Sequence, residues 1–130
     1  MQRYISRASS QLLSRVGLAI VVGIFLLLFG FGSTPASGNL VAAPWDKVVH
    51  LAVFATLTIG LRAVLPTWSI YLIAALSLVT GAADELHQYF VPTRHPGLDD
   101  WLADAVGTVC GLMLWRWLEY RQSIKVPFRA

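Results

Sequence analysis

The chain has 130 residues, 56% of them hydrophobic and only 13% charged, with a mean hydropathy of +0.63. That balance excludes an ordinary soluble globule and points to an integral membrane protein, in which four spans of about 20 apolar residues would use most of the length. Ten Lys and Arg against seven Asp and Glu give a formal charge of +3, but the basic residues flank apolar runs and do not line one polar face, so nucleic acid is not an expected partner.

Arg3, Arg7 and Arg15 open the chain without an acid, and Val16 to Phe31 is an unbroken apolar run. The first span is expected at about 14–32. A basic start, an apolar core and the small-residue stretch Ser33 to Gly38 are also the layout of a cleaved signal peptide; retention as an anchor is the expectation. Residues 33–45 are turn-rich and read as a loop. Trp45, Asp46 and Lys47 then mark an interface, and a second span is expected at about 48–65, with Arg62 and Pro66 at its far end.

A third span is expected at about 68–90, starting at Trp68 and turning polar in its last turns. It stops at Val91 because the residue before Pro92 is driven out of the helical region. A short loop leads to a fourth span at about 100–118 and a basic tail with Arg121, Lys125 and Arg129. The expected fold class is therefore all-α: one domain, residues 1–130, forming a polytopic membrane protein with four transmembrane helices in a compact bundle. The only cysteine, Cys110, rules out an intrachain disulfide and reads as a small packing residue. Trp45, Trp68, Trp101, Trp115, Trp117, Tyr89 and Tyr120 fall near span ends, as an interfacial belt requires.

Between Asp84 and Asp104 the pattern changes. This stretch holds Asp84, Glu85, Asp99, Asp100 and Asp104, five of the seven acids, together with His87, His95 and Arg94. On the second helix Asp46 and His50 are four apart and share a face, with Lys47 beside them. On the third, Ser77, Gly81, Asp84 or Glu85, and Gln88 form a stripe. On the fourth, Asp100 and Asp104 continue into Gly107 and Gly111, a GxxxG spacing that permits close helix approach, so these acids should face protein and not lipid. In an up-and-down bundle the start of the second span, the end of the third and the start of the fourth meet at one membrane surface. The first helix is expected mainly to shield them from lipid.

The combination of DKVVH at Asp46 to His50, DELHQYFVPTRH at Asp84 to His95 and DDWLADAVG at Asp99 to Gly107 resembles the VanZ-like family of bacterial membrane proteins. In that family a span opens with Asp-Lys and a nearby His, a later one ends in Asp-Glu-x-x-Gln before a Pro and an Arg, and the last opens with Asp and then Asn-x-x-Gly. The matching positions are Asp46, Lys47, His50, Asp84, Glu85, Gln88, Pro92, Arg94, Asp100 and Gly107, and the likeness covers roughly residues 45–118. Asp104 departs from it, standing where many members have Asn. A carboxylate there can pair with Arg94 or His50, or carry a proton. The resemblance implies the bacterial cytoplasmic (inner) membrane and an association with resistance to glycopeptides, teicoplanin in particular.

Several chemistries suit these residues. A structural network would pair Arg94 with Asp84, Glu85 or Asp100 and Lys47 with Asp46, yet the acids outnumber the cations. A binding site would use Asp46, Lys47, His50, Gln88, Arg94, Asp100 and Asp104 to hold a phosphate, carboxylate or lipid head group, Arg being suited by its planar fork of donors. The resemblance alone makes that ligand an anionic envelope lipid or a peptidoglycan-related fragment. An acid–base enzyme acting on an envelope lipid would use Glu85 first, then Asp84 and His50, although neighbours on a helix point about 100° apart. Asp84 and His87 with His50 could approach a metal, but no pair has a recognised metal-site spacing, and no metal or other cofactor is expected. A small accessory subunit packing against a larger membrane complex is a reading of a different class.

Charge sets the orientation. One side collects Arg3, Arg7, Arg15, Arg62, Arg116, Arg121, Lys125 and Arg129, the other only Lys47 and Arg94, so the positive-inside rule puts both termini in the cytoplasm. Reporter fusions after Gly38 and Pro96 should therefore score external, and fusions after Pro66 and Ala130 internal; the inverse pattern would move the acidic cluster to the cytoplasmic face.

Overall fold

The computed structural model describes residues 2–39, 41–92 and 94–124. Lys125 and Arg129 of the charge balance lie outside the described residues, as do the side chains of Arg3 and Arg7. The described residues are helical and contain no strand. Four helices follow one another: α1 (Gln2–Phe25), α2 (Trp45–Val64), α3 (Ile70–Gln88) and α4 (Leu98–Ile124). A π-helical turn at Leu26–Gly30 and 3-10 turns at Phe31–Ser33 and Pro35–Asn39 carry α1 into the loop that crosses to α2.

Among the described residues, three stretches are long and apolar enough to cross a membrane: Ser9–Ser33, Trp45–Val64 and Ile70–Gln88. α4, at 27 residues, has the length but is more polar, with Asp99 and Asp100 in its first turn and Arg121 in its last. Large apolar side chains such as Leu12, Val22, Leu26, Leu72, Val79, Val109 and Met113 lie exposed around the outside. An exterior of that kind is unfavourable in water and natural against acyl chains. α2, α3 and α4 begin within three residues of the expected span starts, whereas α1 begins at Gln2, well ahead of 14, and α4 runs on to Ile124, past 118. α3 begins after Ser69, whose side chain accepts the Leu72 N–H as an N-cap, so Trp68 stays in the preceding turn. At the other end, Tyr89 and Phe90 turn away before Pro92.

α2 is the axis of the bundle. α4 runs parallel to it, with Lys47 on Asp100, His50 on Asp104 and Arg62 on Glu119. Gly107 lies directly on the Leu51 backbone and Gly111 on that of Ala55, where an added Cβ would meet the Ala55 carbonyl oxygen at 2.6 Å. α1 crosses the opposite side of α2 through a second pair of glycines. A Cβ on Gly17 would come within 2.8 Å of the Gly60 carbonyl oxygen, and one on Gly60 within 3.2 Å of that of Gly17. The apolar core lies between these contacts, built from Ile24, Leu28, Phe54, Leu57, Leu61 and Ile73. Helix α3 closes the bundle through a hydroxyl chain in which Ser77 Oγ lies 3.1 Å from Thr58 Oγ1 and 2.9 Å from Thr108 Oγ1. All three residues are buried, so each hydroxyl finds its partners inside the protein.

Several residues differ from their expected roles. Cys110 is exposed on α4, because Gly107, Thr108 and Gly111 take the packed face and turn it outward. Trp101, expected in the interfacial belt, lies partly buried with its indole N–H donating to the Leu78 carbonyl at 3.1 Å. Arg62 is more than a topology signal. It is buried, donates to the carbonyls of Pro66 and Trp68, and reaches Glu119 at 3.1 Å, tying the α2–α3 turn to the end of α4.

The glycine contacts generate a stability prediction. Gly107→Leu drives side-chain atoms into the Leu51 backbone, where nothing flexible can yield, and should cost about 1–3 kcal/mol or more as overpacking. Gly23→Leu, at a position with no atom within 4 Å of the new Cβ, should be nearly neutral. Thermal unfolding of both variants in the same detergent checks this.

Candidate functional site

The C-terminal end of α1, the N-terminal ends of α2 and α4 and the C-terminal end of α3 converge at one end of the bundle. The loop after α1 folds over them, held by Ser37 Oγ donating to the Gly32 carbonyl at 3.1 Å and the Thr34 carbonyl at 2.7 Å. Beneath it is a cavity of about 380 Å³. Asp46, His50, Asp84, Gln88, Arg94 and Asp100 supply its polar wall, and Leu27, Leu28, Phe31, Val49 and Val53 its apolar wall.

The polar wall is layered by the helical repeat. In the outer layer Lys47 Nζ sits among three carboxylates, at 2.9 Å from Asp46, 2.8 Å from Asp99 and 2.5 Å from Asp100. All three acids lie in the first turn of α2 or α4, where the positive ends of the helix dipoles favour them. The Lys47 ammonium, donating to the exposed Asp99, holds that carboxyl below the usual carboxylate range. One turn deeper, Asp104 Oδ1 meets His50 Nδ1 at 2.8 Å, and Asp104 is fully buried. From α3, Asp84 is 1% exposed and accepts the Gln88 amide at 2.8 Å, the i, i+4 pair of one helix face. Glu85 points a different way and accepts the Gly97 N–H at 2.7 Å, fastening the start of α4 to the end of α3.

Polar groups remain unsatisfied. Asp84 Oδ1, Glu85 Oε1, Asp104 Oδ2 and Arg94 Nε are buried without a hydrogen-bond partner. A buried polar atom left unpaired costs about 1–3 kcal/mol, more when charged; of these four residues, Asp84 and Arg94 line the cavity, while Asp104 Oδ2 packs against Gly81.

The structure thus brings Asp46, Lys47, His50, Asp84, Gln88, Asp100 and Asp104 together, with Glu85 beside them. Arg94 lines the same cavity, yet among the described residues it pairs with no carboxylate and donates instead to the Ser37 carbonyl at 3.3 Å. Gly81, Gly107 and Gly111 sit at helix contacts, Gly81 making room for Asp104, whose Oδ2 would lie 2.7 Å from a Cβ there. The grouping of Asp84 and His87 with His50 does not form: His87 Nε2 lies 3.0 Å from Ser33 Oγ, and its ring packs on Phe29 at 5.4 Å between centroids. His95 and Asp99 are exposed at the rim.

The first helix does more than shield. Leu27, Leu28 and Phe31 form much of the apolar wall, and Ser37 and Gly38 line the cavity from the loop. Sequence reasoning missed them because an unbroken apolar run does not distinguish a lipid-facing residue from a cavity-facing one. The one available signal was the small-residue stretch Ser33 to Gly38, which lets the loop lie close over the helix ends.

The model of the VanZ/LLP1 family matches residues 4–119. No curated protein and no solved structure is significantly similar to the chain. The match takes in all of α2 and α3 and the polar first turns of α4, the helices whose side chains converge here, and the chain belongs to the VanZ/LLP1 family.

Proposed function

We propose that the chain is a four-span protein of the bacterial cytoplasmic membrane with both termini inside, and that its cavity opens outward to recognise an amphiphilic envelope component with a polar or anionic head. Crossing by α4 is supported by its parallel packing on α2 and by the burial of Asp100, Asp104 and Thr108 on the contact face, which leaves Leu102, Val106, Val109 and Met113 outward. The orientation follows from the distribution of Lys and Arg.

One observation carries the ligand reading: the cavity has a polar wall and an apolar wall side by side. A water-soluble ligand would have no use for Leu27, Phe31 and Val53, and an aliphatic one none for Asp84 and Arg94. A head group on a long chain satisfies both. Arg94, with an unpartnered Nε, has donors for a phosphate or carboxylate oxygen, and the free oxygen of Asp84 would take a hydroxyl or amide donor. Recognition of such a component connects with the glycopeptide response associated with the family, since those antibiotics act on the envelope.

The test uses the full chain in detergent. Titration with an isoprenyl phosphate and with a diacyl anionic phospholipid should show saturable binding of at least one, followed by native mass spectrometry. Arg94→Ala should weaken it about tenfold or more, as loss of a charge-assisted contact does. Binding of neither lipid, or equal binding by the variant, would overturn the reading.

A further inference from the structure

We propose that His50, Glu85 and Asp100 form a binding site for a single divalent transition-metal cation, with Asp104 as a positioning residue behind His50. The three residues come from α2, α3 and α4, and one ligand atom from each lies within 4.8 Å of the other two. Side-chain rotation closes that spacing onto a central ion with bonds of about 2.0–2.2 Å.

The hydrogen bonds leave the right atoms free. Asp104 Oδ1 occupies Nδ1 of His50, which fixes the ring and leaves the Nε2 lone pair as the donor; carboxylate–histidine–metal triads are built this way. Gly97 N–H occupies Oε2 of Glu85, and the other oxygen, Oε1, is buried without a partner. Lys47 occupies Oδ1 of Asp100, leaving Oδ2. Each ligand is therefore held by one atom and presents another.

A separate observation points to a cation. Asp84, 1% exposed, lines the same cavity as His50 and Asp100, and its Oδ1 has no partner. Among the described residues neither Asp84 nor Glu85 has a Lys or Arg at ion-pair distance, and Asp104 has only His50, while Lys47 is already shared among three other acids. Buried carboxylates without a counter-charge are costly, and a dication supplies one from a single position. Imidazole and carboxylate without thiolate suit Zn²⁺, Mn²⁺ or Fe²⁺ and disfavour Cu(I), and the cavity supplies room for water to complete the coordination. Spacing along the sequence could not reveal the site, because no two ligands share a helix.

The inference stands whether or not a lipid binds, and it is tested with metal alone. The full chain, purified in detergent and stripped with chelator, is titrated with Mn²⁺ by electron paramagnetic resonance and then with Zn²⁺ as competitor. A single saturable Mn²⁺ site displaced by Zn²⁺ is expected. Glu85→Gln, which keeps the size of the side chain and the Gly97 hydrogen bond, should weaken binding by at least tenfold, and His50→Gln likewise. Asp104→Asn keeps an acceptor for His50 and should weaken it by about 10–100-fold, the usual effect of removing a carboxylate behind a ligating His. Glu119→Gln, at the opposite end of the α2–α4 pair, should leave the affinity unchanged. Zn²⁺ should raise the melting temperature of the wild-type chain and not that of Glu85→Gln. Absence of a saturable site, or a Glu119→Gln loss equal to that of Glu85→Gln, would overturn the proposal.

Discussion

The close parallel contact between α2 and α4 determines where the polar residues that these two helices give to the site lie. Gly107 and Gly111 have no side chains to hold the helices apart, so α4 rests on the backbone of Leu51 and Ala55. Once those two residues are placed, the helical repeat puts Asp104 opposite His50 and Asp100 opposite Lys47, one turn and two turns toward the N-termini. In the other direction the same register brings Arg62 to Glu119. Both ends of the pair are thus closed by a cation from α2 and an acid from α4. A shift by one turn would break all of these contacts together, and that makes the register well defined even though α4 is more polar than α2 and α3.

The price of this arrangement is a polar stripe through a bundle that should be apolar. It runs from Lys47 and its three acids, past His50, Asp104 and Asp84, to the hydroxyl chain of Thr58, Ser77 and Thr108. In hydrocarbon such groups are tolerated only when turned inward and paired. The hydroxyls meet that condition completely, each having a neighbour, and the stripe ends where the apolar core of Leu57, Leu61 and Ile73 takes over. The carboxylates meet it only in part. Satisfaction therefore falls off toward the cavity, and this gradient separates the part of the stripe that holds the helices from the part beside the cavity.

Much of the architecture could be read from residue patterns. The four helices, their breaks at Pro66 and Pro92, the GxxxG face of α4 and the meeting of three helix ends followed from apolar run lengths, the backbone restriction before proline, and spacing. Asp84 and Glu85 could not be separated that way, because the stripe admitted either; the structure buries Asp84 and turns Glu85 to the Gly97 backbone. The roles of Gly17 and Gly60 were hidden for a different reason: the run from Val16 to Phe31 is apolar on every side, so no periodicity marks its contact face. Arg62 was legible as a charge at a helix end but not as a donor to the Pro66 and Trp68 carbonyls, which depends on the exact path of the turn.

Asp104 and Gly81 show how a single position can alter the site without altering the fold. An asparagine at 104 would still accept from His50 through its amide oxygen, so the register of α2 on α4 does not need the charge. The aspartate adds a second anionic oxygen in a fully buried place, pressed against the bare Cα of Gly81, where even a methyl group would collide with it. The glycine is therefore a condition for the carboxylate, not only for the approach of α3. With Asp104 present, His50 stands between a negative charge behind it and the unpaired carboxylates of the cavity ahead. A cation bound in front of the ring would be stabilised from both sides, whereas an anion would need Arg94 to overcome the acids around it. The electrostatics around His50 thus favour positive charge in front of the ring, the sign of the cation proposed for this place.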